Sequence, residues 1–233
     1  MGPLIVRPGK TLGLIVQMRI DSSRLPGKAL LELGDTNLAG MVMRRLRTIE
    51  ADHYILATDR DGALQLASSA LDAGFTVFEG PKDDVLGRFA LAIEAFSLDT
   101  VLRATGDNPF VSKHLADMAI AASQELDADY TGLTGMPVGM GIEVVQASAL
   151  LNSASLARTE HEREHVCPYL YEHPRAFKIA RLPCPAEYHM PEGRLTVDTA
   201  EDYRRAKNIV AALGVNPGDV ELISWLHAER KDG

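Results

Sequence analysis

Three cations, Arg19, Arg24 and Lys28, fall within ten positions of one another in this 233-residue chain. They follow the short apolar run 12–16, whose β-rich make-up reads as a buried strand. The segment runs Gln17-Met18-Arg19-Ile20-Asp21-Ser22-Ser23-Arg24-Leu25-Pro26-Gly27-Lys28. A guanidinium is a planar fork that matches phosphate oxygens in pairs, and an ammonium is a point charge for the same group. Ser22 and Ser23 add hydroxyl and backbone N–H donors. Pro26-Gly27 makes a fixed turn that sends Lys28 back toward the loop. The spacing is neither the G-x-x-x-x-G-K-[ST] of a Walker loop nor G-x-G-x-x-G. Ligands of open α/β sheets bind at the carboxyl ends of the strands, and a triphosphate is the ligand that most needs this many donors in one loop.

Such a loop needs a sheet to carry it. Strands are predicted at 12–16, 54–57, 75–78, 100–102, 142–145, 177–182 and 194–197. Helical periodicity appears at 37–49, 63–71, 84–96, 112–125, 147–156, 160–172, 199–213 and 220–230, with Ser112 and Thr199 as caps and Gly74 as a stop. The Gly- and Pro-rich stretch 131–141 reads as a loop. Alternating short strands and helices imply an α/β protein, a mainly parallel sheet covered on both faces. No repeat, low-complexity tract or linker interrupts the chain, so one domain is expected over 1–233, with an inserted element within 135–190.

Composition narrows the partners. Hydrophobic residues are 46% and charged residues 24%, which excludes a disordered chain, a coiled coil and a collagen-like chain. No apolar run approaches the length of a membrane span. The 24 Lys+Arg against 32 Asp+Glu give a net charge of −8, which argues against nucleic acid as a partner and leaves room for a small anion held by a local basic cluster. Cys167 and Cys184 do not make a disulfide framework, and Met1 to Lys10 lacks a signal-peptide core. A cytoplasmic protein is expected.

Four further stretches join the loop. They are Asp83-Asp84-Val85-Leu86-Gly87-Arg88-Phe89, Arg103-Ala104-Thr105-Gly106-Asp107-Asn108-Pro109, Glu162-Arg163-Glu164-His165-Val166-Cys167-Pro168-Tyr169 and Arg194-Leu195-Thr196-Val197-Asp198-Thr199. Together, in this order over roughly 12–210, they resemble the motifs of the cytidylyltransferases that activate acidic sugars as CMP conjugates. The spore-coat polysaccharide (SpsF-like) branch is most similar, and CMP-sialic acid and CMP-Kdo synthetases are more distantly so.

The resemblance implies a three-layer αβα, Rossmann-like fold of the GT-A-like nucleotidyltransferase kind, with a small dimerisation and acceptor extension. It implies Mg²⁺-dependent transfer of CMP from CTP to an acidic sugar or related polyol, with release of pyrophosphate, for surface polysaccharide, and a homodimer. Asp107 and Asp198 are implied as the metal aspartates, and with Arg19 and Lys28 they form the expected catalytic set. Gln17, Met18, Ser22, Ser23, Arg24, Thr58 and Arg88 join Arg19, Lys28 and Asp107 around the nucleotide. Arg103, Glu143 and His165 are expected at the acceptor, although Arg88 and Arg103 could equally face a phosphate or form ion pairs. Two departures stand out. Asp21 replaces the family's small residue, so its carboxylate must point away from phosphates or meet a metal. Of the family's acids near D-G-L-D-V-E, Glu143 remains in Val138-Gly139-Met140-Gly141-Ile142-Glu143.

Other patterns compete. His161-Glu162-Arg163-Glu164-His165 fits H-E-x-x-H, the helix of a zinc hydrolase, but carries Arg and Glu where such a helix is apolar. Asp59-Arg60-Asp61 and Asp127-Ala128-Asp129 mimic the D-x-D of a GT-A-type glycosyltransferase using a nucleotide sugar; Asp61 reads more simply as a helix cap and 127–129 as a strand opening. Cys167 beside His165 suggests a Cys–His nucleophile, although residues two apart on a helix do not face each other. A catalytically inactive nucleotide-binding subunit is the remaining alternative, motivated by Asp21 and the missing acids at 138–141.

Overall fold

The computed structural model describes residues 10–232. The signal-peptide reading therefore lies, for residues 1–9, outside the described residues.

β1 (Leu12–Gln17) is buried on both faces from Leu12 to Val16, as a central strand with apolar layers above and below requires. The basic loop ends in a 3-10 turn at Lys28–Leu30, followed by a small ribbon of β2 (Glu32–Leu33) and β3 (Thr36–Asn37). α1 (Leu38–Leu46) starts on Asn37, whose side chain accepts from the Gly40 N–H. Strand and helix then alternate through β4 (His53–Thr58), α2 (Arg60–Asp72), β5 (Thr76–Glu79), α3 (Val85–Phe96), β6 (Thr100–Thr105) and α4 (Lys113–Leu126). The chain continues with β7 (Tyr130–Thr134), β8 (Glu143–Gln146), α5 (Ala147–Leu156), α6 (Glu160–His165), α7 (Pro168–Glu172), β9 (Ile179–Pro183), α8 (Ala200–Leu213) and α9 (Asp219–Asp232).

The seven-stranded sheet has the order β5-β4-β1-β6-β8-β7-β9. β8 runs antiparallel to β6 and β7, and the other pairings are parallel. This is the mostly parallel α/β architecture that the alternation predicts. One face packs Leu14, Val16 and Leu102 against α1, α2, α4, α8 and α9. The other packs Ile15, Val101 and Val145 against α3, α5 and α7. No helix among the described residues is long and apolar enough to cross a membrane.

Four local expectations are corrected. The stretch 131–141 is not all loop: β7 occupies Tyr130–Thr134, where Thr131 and Leu133 are buried between β8 and β9. The helix expected at 160–172 is broken, because Val166 takes a positive φ of 73° and Pro168, lacking an N–H, can only open a new helix. Arg194 to Val197 is extended but outside the sheet; it lies over loops, with the Leu195 N–H donating to Val138 O and the Val197 N–H to Asp107 O, both at 2.8 Å. Asp59, not Asp61, caps α2 by accepting from the Gly62 N–H at 2.9 Å.

That overlay depends on Gly139. Its φ is +98°, and a Cβ there would stand 2.8 Å from the Thr196 backbone nitrogen. Gly139→Ala is therefore expected to cost about 1–3 kcal/mol through strain and backbone clash, read as a lowered unfolding midpoint in a thermal scan.

Candidate active site

A cleft of about 270 Å³ opens at the carboxyl ends of β1 and β6. Gln17, Met18, Arg19, Ser22, Ser23, Arg24 and Lys28 line it from the basic loop. Arg88 of α3, Arg103 of β6, Asp107, His165 of α6 and Asp198 line it from the other elements. Thr58 and Glu143 do not. Thr58 is fully buried at the end of β4, its hydroxyl packed against Gly62 under the start of α2. Glu143 lies deeper, in a network described below.

Lys28 is the centre of the site. Gly27, at φ +68°, donates its N–H to Ile20 O at 3.1 Å and folds the loop back on itself; the left-handed turn is one that glycine adopts without cost. The returned ammonium of Lys28 donates to Asp198 Oδ1 at 3.0 Å and Val197 O at 2.8 Å, and lies 3.4 Å from Asp107 Oδ2. Asp107 is aimed by the Thr105 hydroxyl, which donates to its Oδ1 at 2.6 Å. Asp198 also takes Arg24 Nη2 at 2.8 Å and Arg194 Nη2 at 2.7 Å. Burial alone would raise the Asp198 carboxyl, but Lys28, Arg24 and Arg194 outweigh it and hold it below the usual carboxylate range. Two carboxylates thus flank one cation. An all-oxygen pair of this kind suits Mg²⁺, which takes its other ligands from phosphates and water.

Asp21 pairs outside this cluster, with Lys82 and, more loosely, with Arg19, whose Nε is 4.0 Å from its Oδ1. Lys82 Nζ sits 2.6 Å from its Oδ2, and that hydrogen bond holds the Asp21 carboxyl below its usual range. The departure from the family's small residue is thereby accommodated. Arg19 is half exposed and reaches Glu164 Oε1 on α6 at 3.3 Å. Arg88 is buried and donates from Nη1 to Pro81 O at 2.5 Å.

On the α3 face of the sheet a polar ladder crosses four adjacent strands. Period-two alternation puts Gln17, Arg103 and Glu143 on the same face as Ile15, Val101 and Val145. Arg103 Nε donates to Gln17 Oε1 at 3.1 Å, and Arg103 Nη1 donates to Glu143 Oε2, its register partner on β8. The Tyr130 hydroxyl donates to Glu143 Oε1 at 2.6 Å, and the Cys167 thiol also faces Glu143. Burial pushes the Glu143 carboxyl up, but Arg103, Tyr130 and Cys167 more than reverse this and keep it below its ordinary value. The expected direct contact of Glu143 with an acceptor is therefore not what the geometry places there: both its oxygens face the ladder, and Arg103 faces the cleft.

The competing motifs resolve locally. Glu162 Oε2 accepts from the N–H groups of Arg158 and Thr159, each at 2.8 Å, so it caps α6 and is not free to act as a base. Among the described residues, no group of three or more His, Cys, Asp or Glu is arranged to hold a metal. Burial pushes the Cys167 thiol well up, the opposite of an activated nucleophile. Asp129 Oδ2 accepts from the Lys178 N–H at 2.9 Å, and Asp127 ends α4 at φ 47°.

Several supporting residues were invisible as such in the sequence. Arg163 Nη1 donates to Asp84 Oδ2 at 2.6 Å while Asp84 Oδ1 caps α3, which clamps the wall bearing His165 onto α3. Arg194 is braced by Asp202 through Nε at 3.0 Å. Tyr130 and Gln17 hold the two ends of the ladder.

A mostly parallel sheet with cations and two aspartates gathered at its carboxyl edge is a site suited to a phosphate-bearing ligand and a divalent cation. The cytidylyltransferase family model matches residues 14–216. The spore coat polysaccharide biosynthesis protein SpsF of Bacillus subtilis is 36% identical over 223 residues, covering 91% of this chain and 92% of that protein. A cytidylyltransferase of Leptospira borgpetersenii superposes with a TM-score of 0.87 at 28% identity, over 95% of this chain and 96% of that one. CMP:2-keto-3-deoxy-manno-octonic acid synthetase complexed with CTP has the same fold, with a TM-score of 0.68 at 14% identity over 87% of this chain and 99% of that one. This chain belongs to the cytidylyltransferase family and is a nucleotidyltransferase enzyme.

Proposed function

We propose that the protein transfers CMP from CTP to an acidic sugar or related polyol, with Mg²⁺, releasing pyrophosphate in surface polysaccharide biosynthesis. The observation that carries this reading is the convergence of the Lys28 ammonium on both Asp107 and Asp198 inside the cleft, at 3.4 and 3.0 Å. Asp107 and Asp198 would hold the Mg²⁺, which when bound neutralises phosphate charge and orients the leaving pyrophosphate. Arg19, Arg24 and Lys28 stabilise the charge that shifts along the phosphates as an acceptor hydroxyl attacks the α-phosphate. Gln17 and Arg103 offer donors on the opposite side, held in one orientation by Glu143. Positioning and charge supply the catalysis, so no side-chain nucleophile is needed. The name of the Bacillus relative supports a polysaccharide pathway, and a 3-deoxy-manno-octulosonate cytidylyltransferase of Aeromonas hydrophila, 32% identical over 120 residues, supports an acidic sugar as the acceptor class. A cytoplasmic homodimer that pairs through the element at 135–190 belongs to the same reading, and sedimentation analysis tests the pairing.

The test is pyrophosphate release from CTP and MgCl2 across a panel of sugar acids that includes 3-deoxy-manno-octulosonate. Release that requires CTP, metal and one acid is expected. Hydrolysis of a UDP- or GDP-sugar, with no pyrophosphate from any nucleotide, would favour the glycosyltransferase alternative. CTP binding without turnover across the panel would favour an inactive subunit. Because Asp21 is turned to Lys82, Asp21→Asn is expected to leave CTP affinity within about twofold; a calorimetric titration showing a large loss would give Asp21 a role at the phosphates.

A further inference from the structure

Asp198 ties the charges of the site together. Its Oδ1 takes both Arg24 Nη2 at 2.8 Å and Lys28 Nζ at 3.0 Å, and its Oδ2 takes Arg194 Nη2 at 2.7 Å. The three cations are not equivalent. Arg194 is braced again by Asp202 on the first turn of α8, at 3.0 Å. Arg24 is 62% exposed on the loop, with no second ion pair among the described residues. Lys28 sits on the turn that follows Gly27. Arg194 is thus braced twice and Arg24 held once, whereas Lys28 is held by Val197 O and Asp107 Oδ2 as well, so the exchange asks Arg24 to leave and Lys28 to give up its Asp198 contact alone.

Two ligands make opposing demands on this one oxygen. A phosphate chain needs Arg24 and Lys28 turned toward it, and taking them alone strips Asp107 and Asp198 of their neutralising charge. A divalent cation needs Asp198 Oδ1 cleared, and arriving alone it meets the repulsion of both cations. Each ligand removes the cost that the other incurs, which is a coupling free energy between two binding events.

We propose that Asp198 carries a charge exchange coupling metal and nucleotide binding: in the ligand-free site it holds Arg24 and Lys28 back, and it releases them to the phosphates when a divalent cation takes their place. Arg194, anchored on Asp202, keeps the carboxylate in position throughout. The inference rests on the reading of the cleft as a CTP site.

The test is calorimetric titration of CTP in EDTA into wild type, Asp198→Asn, Arg24→Gln and the double variant. Metal-free CTP is expected to bind Asp198→Asn about tenfold more tightly than wild type. That gain should shrink several-fold in the double variant, because Arg24 supplies one part of it and the freed Lys28 the rest. Equal metal-free affinity in wild type and Asp198→Asn overturns the exchange. So does a gain that survives intact in the double variant, which would mark a general field effect of the lost charge. Should Asp198→Asn fail to fold, Arg24→Gln alone reads the coupling. It should lose more affinity for CTP in MgCl2 than for CTP in EDTA, and equal losses overturn the proposal. Wild type titrated with CTP in MgCl2 separates the two claims. No binding there defeats the nucleotide reading itself, whereas binding there with an additive cycle defeats the exchange alone.

Discussion

Lys28→Met is expected to lower kcat/KM for CTP about 10³-fold with the fold retained, the scale of losing a preorganised charge at a reacting phosphate. Met keeps the length of the lysine stem, so the loop from Ser22 to Gly27 still packs. What goes is the ammonium of a side chain that is 13% exposed, a group that reaches Asp107, Asp198 and the Val197 carbonyl together. Without it the two carboxylates face each other with less compensation. The metal-free variant should therefore unfold at a lower temperature than wild type, and MgCl2 without nucleotide should raise its midpoint more than it raises that of wild type. Pyrophosphate release and thermal scans with and without MgCl2 check both halves. Activity within tenfold of wild type would remove Lys28 from the chemistry, and equal responses to MgCl2 would remove it as the place-holder of a cation.

Glu143→Ala is expected to be the most destabilising change in the ladder, by about 3–5 kcal/mol, because it leaves the Arg103 guanidinium mostly buried and without its charge partner. The two side chains are 13% and 23% exposed, so solvent screens the pair little. For a chain of this length that corresponds to a fall in Tm on the order of 10 °C. The pH dependence has a definite sign. The Glu143 carboxyl is held below its ordinary value of 4.5 in the folded protein, so its contribution is full above that value and is lost as the pH falls through the lowered one. The stability gap between wild type and Glu143→Ala should be widest near neutrality and close in acid, which urea unfolding at several pH values measures. A gap of under about 1 kcal/mol at neutral pH would place the pair with ordinary surface bridges.

The site was more legible in the sequence than the ladder, and the reason is geometric. Arg24, Lys28, Asp107 and Asp198 each follow a strand or extended run, and every parallel strand delivers its following loop to the same edge of the sheet. Knowing the alternation is then enough to bring these residues together. The pairing of Arg103 with Glu143 depends instead on β8 inserting between β6 and β7. Chain order favours β7 beside β6, and no periodicity reports the exception. The same holds for Tyr130, hidden because Gly and Pro around 131–141 masked a five-residue strand. Thr58 misled for a related reason: the end of a parallel strand points at a cleft in general, but this side chain turns under α2. The split between α6 and α7 was readable from Pro168; the charged run around it concealed the break. Arg194 and Asp202 gave no signal as supports, because their roles exist only once the 194–198 segment is laid over Val138 and Asp107.

The most direct measurement is a thermal-shift panel of CTP, UTP, ATP and GTP, each with MgCl2 and with EDTA. At about 100-fold over Kd a ligand adds about 2.7 kcal/mol of stability, which for a protein of this size is a shift of roughly 5–10 °C. A shift of that size for CTP with MgCl2, clearly smaller for the other nucleotides and for CTP in EDTA, is what the arrangement of Arg24, Lys28, Asp107 and Asp198 predicts. Equal shifts for all four nucleotides, or none with any of them in folded protein, would contradict a metal-assisted cytidine nucleotide site in this cleft.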